Sequence, residues 1–424
     1  MRQRKFKAPP RKTLRRWRVP PALTHGDSDA FEGLSVLEEL NNELGLVLWQ
    51  SLRDAMLWGR AAADQRSALF APASDTSRMA ATLAAGAPAE IEEPLKVLAG
   101  MVGQPDAARE ENVSLACRQI AQWGEARGQL ATALAFAQAA AVVTPADPSG
   151  AYNVGRLARR RAEHARAETW FRRTIALARQ AGDWPTYAMA FVGLGNLYKE
   201  RGNFPVARRF FERALRAAGR NSLHEIEGMA LHDLFGIAVE TEDTPQAHEL
   251  ARGAYEAYGP HHQRLPHLAH DIAYFWITQG YCDRALPVLR SLVRHFDEPT
   301  VRLGVIGGVC RAAGGANDRE IFQGAWSEAV ELMTATPNSD LVPRTWLDLA
   351  HGALSLGAWD RAEDAAQRAL DGATRRSDAK TRLTAEALID AARRHQRAER
   401  HVADRPDWRE STDALSSDLV QSLS

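Results

Sequence analysis

The fold is decided by the stretch at residues 191–215, FVGLGNLYKERGNFPVARRFFERAL. Its first half carries large apolar residues three and four positions apart, the spacing of one helix face, at Phe191, Leu194 and Tyr198. Gly202 and Asn203 interrupt that pattern. A second helical run then follows, with its small and aromatic residues on one face at Ala207, Phe211 and Ala214. The stretch therefore predicts two antiparallel helices joined by a tight turn.

The rest of the chain repeats this hairpin. A small residue that lets the second helix approach the first recurs at steps of 34 to 40 residues, at Ala133, Ala167, Ala207, Ala247, Ala285, Ala325 and Ala362. The order of residue types at 191–215 runs aromatic, Leu-Gly, Tyr, turn glycine, aromatic, Ala, Phe and Ala-Leu. This order resembles the tetratricopeptide repeat, a long-helix variant of it, over about residues 110–375. The resemblance implies a right-handed α-solenoid of about seven hairpins.

Composition supports an all-α chain. The hydrophobic fraction is 45%. Ala, Leu and Arg, which favour helices, are abundant, and runs of β-branched residues are few. We expect a cap formed by N-terminal helices, because a solenoid must cover its terminal faces, although the same helices could dimerise the chain. The expected regions are a disordered basic arm (1–28), an N-terminal helical region (29–109), the repeat array (110–376), a C-terminal capping helix (377–404) and a disordered tail (405–424).

Landmark residues move with the alanines. A turn glycine stands five residues before the alanine in four repeats, at Gly128, Gly202, Gly280 and Gly357, and two repeats carry Ala162 or Glu242 there instead. Large residues four positions after the alanine should fill the space between hairpins, at Phe171, Phe211 and Leu289. The repeat around Ala325 has glycines inside its first helix and a predicted lengthened turn at 314–317, so we expect a soft point there.

The basic residues are concentrated at the N-terminus. Lysine and arginine total 53 and acidic residues 53, but nine basic residues lie within the first eighteen positions, among them Arg4, Lys5, Arg15, Arg16 and Arg18. Such an arm can hold nucleic-acid phosphates or lie on an anionic membrane surface, or it can be a solvated tail. The remaining 44 basic residues face 53 acidic ones, so the folded body is mildly acidic.

The three cysteines, Cys117, Cys282 and Cys310, are far apart and have no paired spacing, which favours a reducing cytoplasmic location. The most apolar stretch, residues 44–58, is interrupted by charges and too short to span a bilayer, so a soluble protein with no membrane partner is expected. Phosphate-binding loops, paired cysteine metal motifs and serine elbows are missing from the sequence. We therefore expect neither an enzyme nor a cofactor.

In a solenoid of this kind, ligands bind the concave surface formed mainly by the first helix of each hairpin. The resemblance places a peptide-binding groove at the outward positions of those helices, namely Tyr152, Asn153, Arg156, Arg160, Val192, Asn196, Lys199, His232, Asp233, His267, His270 and Tyr274. The last repeat adds Arg344, Asp348 and His351. Arg156, Arg160 and Lys199 suit an acidic or aromatic-acidic peptide, unless they are ordinary solvated residues.

The segment HHQRLPHLAHD, residues 261–271, is rich in histidine. His267, His270 and Asp271 share a helix face and form a weak candidate metal site. The cluster could instead respond to pH or simply line a polar groove.

The sequence thus predicts a protein- or peptide-binding scaffold or adaptor that acts in regulation or complex assembly. The alternative is a nucleic-acid-associated or transcription-linked regulator that acts through the basic arm.

Overall fold

The computed structural model describes residues 33–397 and 406–424, and the predicted basic arm with Arg4, Lys5, Arg15, Arg16 and Arg18 lies outside them. No β-strand occurs in the described residues, and the helices pack in adjacent antiparallel pairs, so the predicted all-α solenoid class is confirmed. The chain divides into two compact units, residues 1–226 and 227–424.

Unit 1 contains the first ten helices. They are α1 (Leu34–Glu39), α2 (Glu43–Arg60), α3 (Ser74–Ala84), α4 (Ala89–Gly103), α5 (Glu110–Ala126), α6 (Leu130–Val143), α7 (Pro148–Arg160), α8 (His164–Ala181), α9 (Trp184–Glu200) and α10 (Phe204–Arg220), with a 3₁₀ turn at Ala63–Ala68. Helices α5 and α6, α7 and α8, and α9 and α10 form three hairpins, each packed on the next.

The N-terminal helices lie against the first hairpin. Helix α2 packs on α6 and α4 packs on α5. The carboxylate of Glu39 accepts hydrogen bonds from the backbone N–H groups of Ala131 (2.7 Å) and Thr132 (2.8 Å), at the start of α6. The first N–H groups of a helix have no hydrogen-bond partner within it, and Gln129, the residue before α6, does not cap them with its side chain. Glu39 therefore supplies the N-terminal cap of α6.

The hairpins are built by local sequence signals. Asp147, Asp183 and Asn203 precede α7, α9 and α10, and the side chain of each accepts a hydrogen bond from a first-turn backbone N–H. The three hairpin turns of unit 1 pass through a left-handed residue at Gly128, Ala162 and Gly202. These are the turn positions predicted from the alanine spacing.

Aromatic rings fill the space between hairpins as predicted. Phe171 and Phe211 are fully buried, and so are Ala167 and Ala207. The ring of Phe171 lies against Gly155 of its own hairpin and Gly193 of the next one. A side chain on either glycine would collide with the ring, so large and small residues are matched across the stack.

Unit 2 contains the remaining helices, apart from the first turn of α11. They are α11 (His224–Glu240), α12 (Thr244–Tyr258), α13 (Leu265–Thr278), α14 (Cys282–Leu292), α15 (Pro299–Ala316), α16 (Arg319–Ala335), α17 (Val342–Ser355), α18 (Trp359–Arg375), α19 (Ala379–Arg393) and α20 (Pro406–Ser422), with a 3₁₀ turn at Val293–His295. Helices α13 and α14, α15 and α16, and α17 and α18 pair as hairpins.

The glycine-rich repeat differs from its prediction. Helix α15 continues to Ala316, so the lengthened turn expected at 314–317 is wrong, and the left-handed turn residue is Asn317. A side chain on Gly314 would collide with the backbone of Gly352 in α17. The glycines are therefore sites of close helix approach, and α15 packs on α17 as extensively as on its own hairpin partner.

The disordered tail expected at 405–424 is also a wrong prediction. Residues 406–422 form α20, which packs on α14 and α12. Leu415, Leu419 and Leu423 are each no more than 3% exposed, and their spacing of four residues makes an apolar stripe. Arg284 donates to Asp413 at 2.7 Å and fixes the register of the helix. The Ser- and Asp-rich composition concealed this stripe.

Candidate functional site

The predicted groove residues of α7 lie on one surface of unit 1. Tyr152, Asn153 and Arg156 are half-buried and Arg160 is exposed. The ring of Tyr152 leans on that of Phe171, with 5.8 Å between centroids. Part of this surface is accessible to solvent.

The arginines of this surface have an acidic partner. Arg156 donates two hydrogen bonds to Glu125 of α5, one of them 2.6 Å long, and Arg160 donates to the same carboxylate. The hydrogen bond from Arg156 lowers the pKa of Glu125 and outweighs the opposing effect of desolvation. One carboxylate therefore offsets half of the positive charge, and the groove is less cationic than the sequence predicted.

On α9 two of the three predicted groove residues are partly accessible. Asn196 and Lys199 are half-buried, and the Lys199 ammonium lies 5.9 Å from the ring centroid of Phe211. Val192 is 2% exposed, so its assignment to the groove surface is wrong. Helix α9 contacts α7, α8 and α10, and this leaves it only a narrow outward stripe.

In unit 2, Asp271 of α13 joins two predicted histidines. It lies 3.0 Å from Nε2 of His232 and 3.3 Å from Nδ1 of His270. Desolvation works against its ionised form, but the hydrogen bonds to the two histidines prevail and lower the pKa of Asp271 well below its usual range. Asp233 of α11 is half-buried nearby in sequence. This arrangement is a hydrogen-bonded cluster on neighbouring first helices.

The weak metal candidate of His267, His270 and Asp271 is not assembled. His267 turns away to the ring of Phe296, with 5.5 Å between centroids. In the described parts of the chain, no group of three or more His, Cys, Asp or Glu side chains is arranged to hold a metal ion.

First helices of three successive hairpins enclose a cavity in unit 2. Its volume is about 360 Å³, and it is lined by residues of α13, α15 and α17 and of the segments before α15 and α17, namely His267, His270, Tyr274, Phe296, Val301, Gly304, Val305, Leu341, Arg344, Thr345 and Asp348. Five of these, at 267, 270, 274, 344 and 348, were predicted as outward positions from the repeat register. The structure thus brings residues more than seventy positions apart into one site.

The floor of this cavity is a buried polar network. The hydroxyl of Tyr274 donates to Asp348 at 2.8 Å and Arg311 donates to the same carboxylate at 3.1 Å. Burial, reinforced by the charge of Asp348, raises the pKa of Tyr274 well above its usual value, so the phenol stays a donor. The network satisfies its own hydrogen bonds and holds the cavity floor in place. Arg311 was missed because its partner lies one repeat away.

Residues 148–220, which form α7 to α10, match the family model of the tetratricopeptide repeat. These four helices carry tetratricopeptide repeats. Repeats of this family generally serve as protein-interaction scaffolds, and no catalytic family is indicated. No curated protein matches the chain. In the described residues, no helix is both long and apolar enough to cross a membrane.

Two solved structures illustrate the similarity of the repeat fold. The crystal structure of BtubC (BKLC) from P. vanneervenii is 16% identical, with a TM-score of 0.42 over 54% of this chain and 92% of that chain. The TPR2AB domain of yeast Sti1, solved in a pHSP90 complex, is 13% identical, with a TM-score of 0.26 over 67% of this chain and 99% of that chain. At these scores the likenesses carry no argument about function or partner.

Proposed function

We propose that the chain is a tetratricopeptide-repeat scaffold that binds a peptide segment of a partner protein in the cavity of unit 2. The recognised segment carries a bulky apolar side chain next to a carboxylate. The observation that carries this proposal is that the cavity is formed by first helices, at positions that the repeat register assigns to the ligand-binding surface.

The cavity offers two kinds of surface. Phe296, Val301 and Leu341 provide an apolar wall, on which a buried apolar side chain of the ligand can rest. Arg344 is exposed at the rim and presents a guanidinium that can accept a carboxylate in its fork. The combination favours a ligand with both groups over a purely apolar or purely acidic one.

The cavity is also ordered before a ligand arrives. The Tyr274, Asp348 and Arg311 network ties α13, α15 and α17 together. A partner segment that is flexible when free orders on contact, while the scaffold loses little conformational freedom. Recognition therefore requires no chemical step.

The surface of α7 and α9 is a weaker candidate for the same role. Glu125 already occupies the forks of Arg156 and Arg160, so an acidic ligand would have to compete with a carboxylate that is held in place. The thiols of Cys117, Cys282 and Cys310 support placing the scaffold in the cytoplasm, where thiols stay reduced.

The test is a selection of short random peptides on the full chain, followed by fluorescence anisotropy on the selected sequences. We expect the selected peptides to share an apolar residue within two positions of an acidic one. Val301→Trp should weaken their binding by at least about tenfold, because Val301 is 38% exposed at the cavity and an indole there fills it without touching the core.

Leu115→Trp is the matched control, since Leu115 is 48% exposed on another first helix, α5. It should leave the affinity unchanged. Equal affinity of the selected peptides for the Val301 variant and the parent would reject the cavity as the binding site. Charge reversal by Arg344→Glu should remove the preference for acidic residues and keep the apolar one.

A further inference from the structure

A second cavity lies in unit 1, and none of the predicted groove residues lines it. It has a volume of about 660 Å³ and opens where α8 ends, α9 begins and α10 ends. Aromatic rings from the start of α9 form one wall, and arginines from α8 and α10 form the other. The repeat register assigns no ligand to this edge of the stack.

The arginine wall is strongly cationic. Arg213, Arg216 and Arg220 are three and four positions apart on α10 and therefore share one face, and Arg179 approaches from the end of α8. The lining contains no Asp or Glu. Among the described residues, the ion pair that these four arginines form is between Arg216 and Glu212. Its charged atoms are 3.8 Å apart and both side chains are exposed. A pair of that kind contributes little and is easily exchanged.

The rings of the aromatic wall pack against one another. Trp184 meets Tyr187 edge to face, with 5.6 Å between centroids, and Tyr187 meets Phe191 in the same way at 5.1 Å. Trp184 is 40% exposed at the cavity. A tryptophan held by packed neighbours and open to solvent is the kind of residue that contributes most to binding at protein interfaces.

We propose that this cavity binds an acidic peptide segment in extended conformation, with at least two carboxylates on one side and an apolar or aromatic side chain against Trp184. Guanidinium groups pair with carboxylates in bidentate fashion. Arginines three and four apart on a helix are about 5–6 Å apart, and side chains on one side of an extended strand are about 7 Å apart, so the two rows match.

The aromatic geometry favours a peptide over single-stranded nucleic acid. A strand of nucleotides needs several rings on which successive bases can stack. Here Tyr187 and Phe191 already pack edge to face, and Trp184 alone offers an exposed ring. This site is separate from the cavity of unit 2 and does not depend on the function proposed for it.

The experiment uses the full chain and a fluorescein-labelled peptide of about ten residues, with glutamates at alternate positions and a central phenylalanine. Anisotropy titrations are expected to show saturable binding. Arg220→Glu should weaken it by at least about tenfold, and Trp184→Ala, which changes no charge, should weaken it by a similar factor.

Arg290→Glu is the matched charge control, because Arg290 is exposed on α14 and does not line the cavity. It should change the affinity by less than about twofold. The basic residues at 2–18 are present in every variant, so their attraction for the probe cancels. Val301→Trp should also leave this probe's affinity unchanged, which separates this site from the cavity of unit 2.

Three results would overturn the proposal. One is equal loss of binding in the Arg290 and Arg220 variants, which would indicate attraction by net charge alone. Another is equal affinity for a peptide with glutamine in place of glutamate, or no saturable binding. The third is tighter binding of a single-stranded oligouridine of the same length with the same dependence on Arg220 and Trp184, which would make nucleic acid the occupant. Circular dichroism of each variant excludes unfolding as the cause.

Discussion

Two glycine contacts, one in each unit, have different packing partners. In unit 1, Gly193 and Gly195 of α9 lie against the rings of Phe171 and Phe211, and each ring fills the space that the glycine leaves. In unit 2, Gly314 of α15 lies against the backbone of Gly352 in α17, with no side chain between the two helices. In the first contact a large ring packs into the space beside a small residue. In the second, the backbones of two helices are in direct contact.

The two arrangements respond differently to an added atom. An aromatic ring can turn or shift by a few tenths of an ångström, whereas a backbone carbonyl moves only with its helix. Glycine inside a helix is therefore not evidence of a soft repeat in this chain. The difference predicts distinct costs for similar substitutions in the two units.

The largest effect is expected from Phe211→Ala, which removes the ring that fills the space beside Gly195. The residue is fully buried, so the variant should lose about 4 kcal/mol in its free energy of unfolding. Urea denaturation followed by circular dichroism measures the loss, and hydrogen exchange should localise it to α9 and α10. A loss below about 1 kcal/mol would mean that the hairpins repack without the ring.

Next in size is Gly314→Ala, which should destabilise unit 2 by about 3 kcal/mol because the added methyl group meets the Gly352 backbone. The matched control is Gly324→Ala in α16, where nothing lies within 4 Å of the added methyl group. That change should instead stabilise by about 1 kcal/mol, through helix propensity. If both variants gain stability, α15 and α17 are not held as closely as described.

A pH effect follows from the same close approach. Burial of His351, beside Gly352, together with the charge of Arg311 on α15, lowers the pKa of His351 to about 3. Below pH 6.5 His351 takes up a proton in the unfolded chain but stays neutral in the folded chain. The contribution of His351 to the free energy of unfolding is therefore complete above pH 6.5 and is lost as the pH falls. Between pH 7 and pH 5 the parent should lose about 2 kcal/mol more than His351→Gln.

Urea denaturation at the two pH values checks this difference. His248, whose pKa burial lowers to about 4, titrates in both proteins and cancels. Parallel losses in parent and variant would show that His351 is accessible to protons in the folded state.

The smallest effect is expected from Gly195→Ala, at about 1.5 kcal/mol, because the Phe211 ring can move away from the added methyl group. Phe211→Leu should recover part of this loss in the double variant. A double-mutant cycle measures the coupling between the two residues. No coupling would mean that ring and glycine are not matched, and the comparison between the units would fail.

Much of the scaffold could be predicted because its signals are local. The buried alanines at repeat spacing, the left-handed turn residues five positions before them and the rings at Phe171 and Phe211 all follow from positions within one hairpin. The register also predicted five residues of the unit 2 cavity, since equivalent positions of a repeat face the same way.

What could not be predicted depends on contacts between elements. Val192 is buried because three helices pack around α9. Glu125 and Arg156 belong to neighbouring hairpins, so their hydrogen bonds depend on how the hairpins stack. The second cavity combines three helix ends, and no single helix shows its aromatic and arginine walls together. An acidic residue one position from the equivalent of Arg160 in the preceding repeat is the signal that could have revealed Glu125.

Helix α20 gives the chain an internal ligand. Its leucine stripe is held against α12 and α14, and the peptide chain links it covalently to α19. A covalent link keeps a segment at a high effective concentration beside its binding surface. The same helix supplied as a separate peptide would make that contact bimolecular, and a chain that ends after α19 would expose the apolar surface of α12 and α14 that the leucines cover.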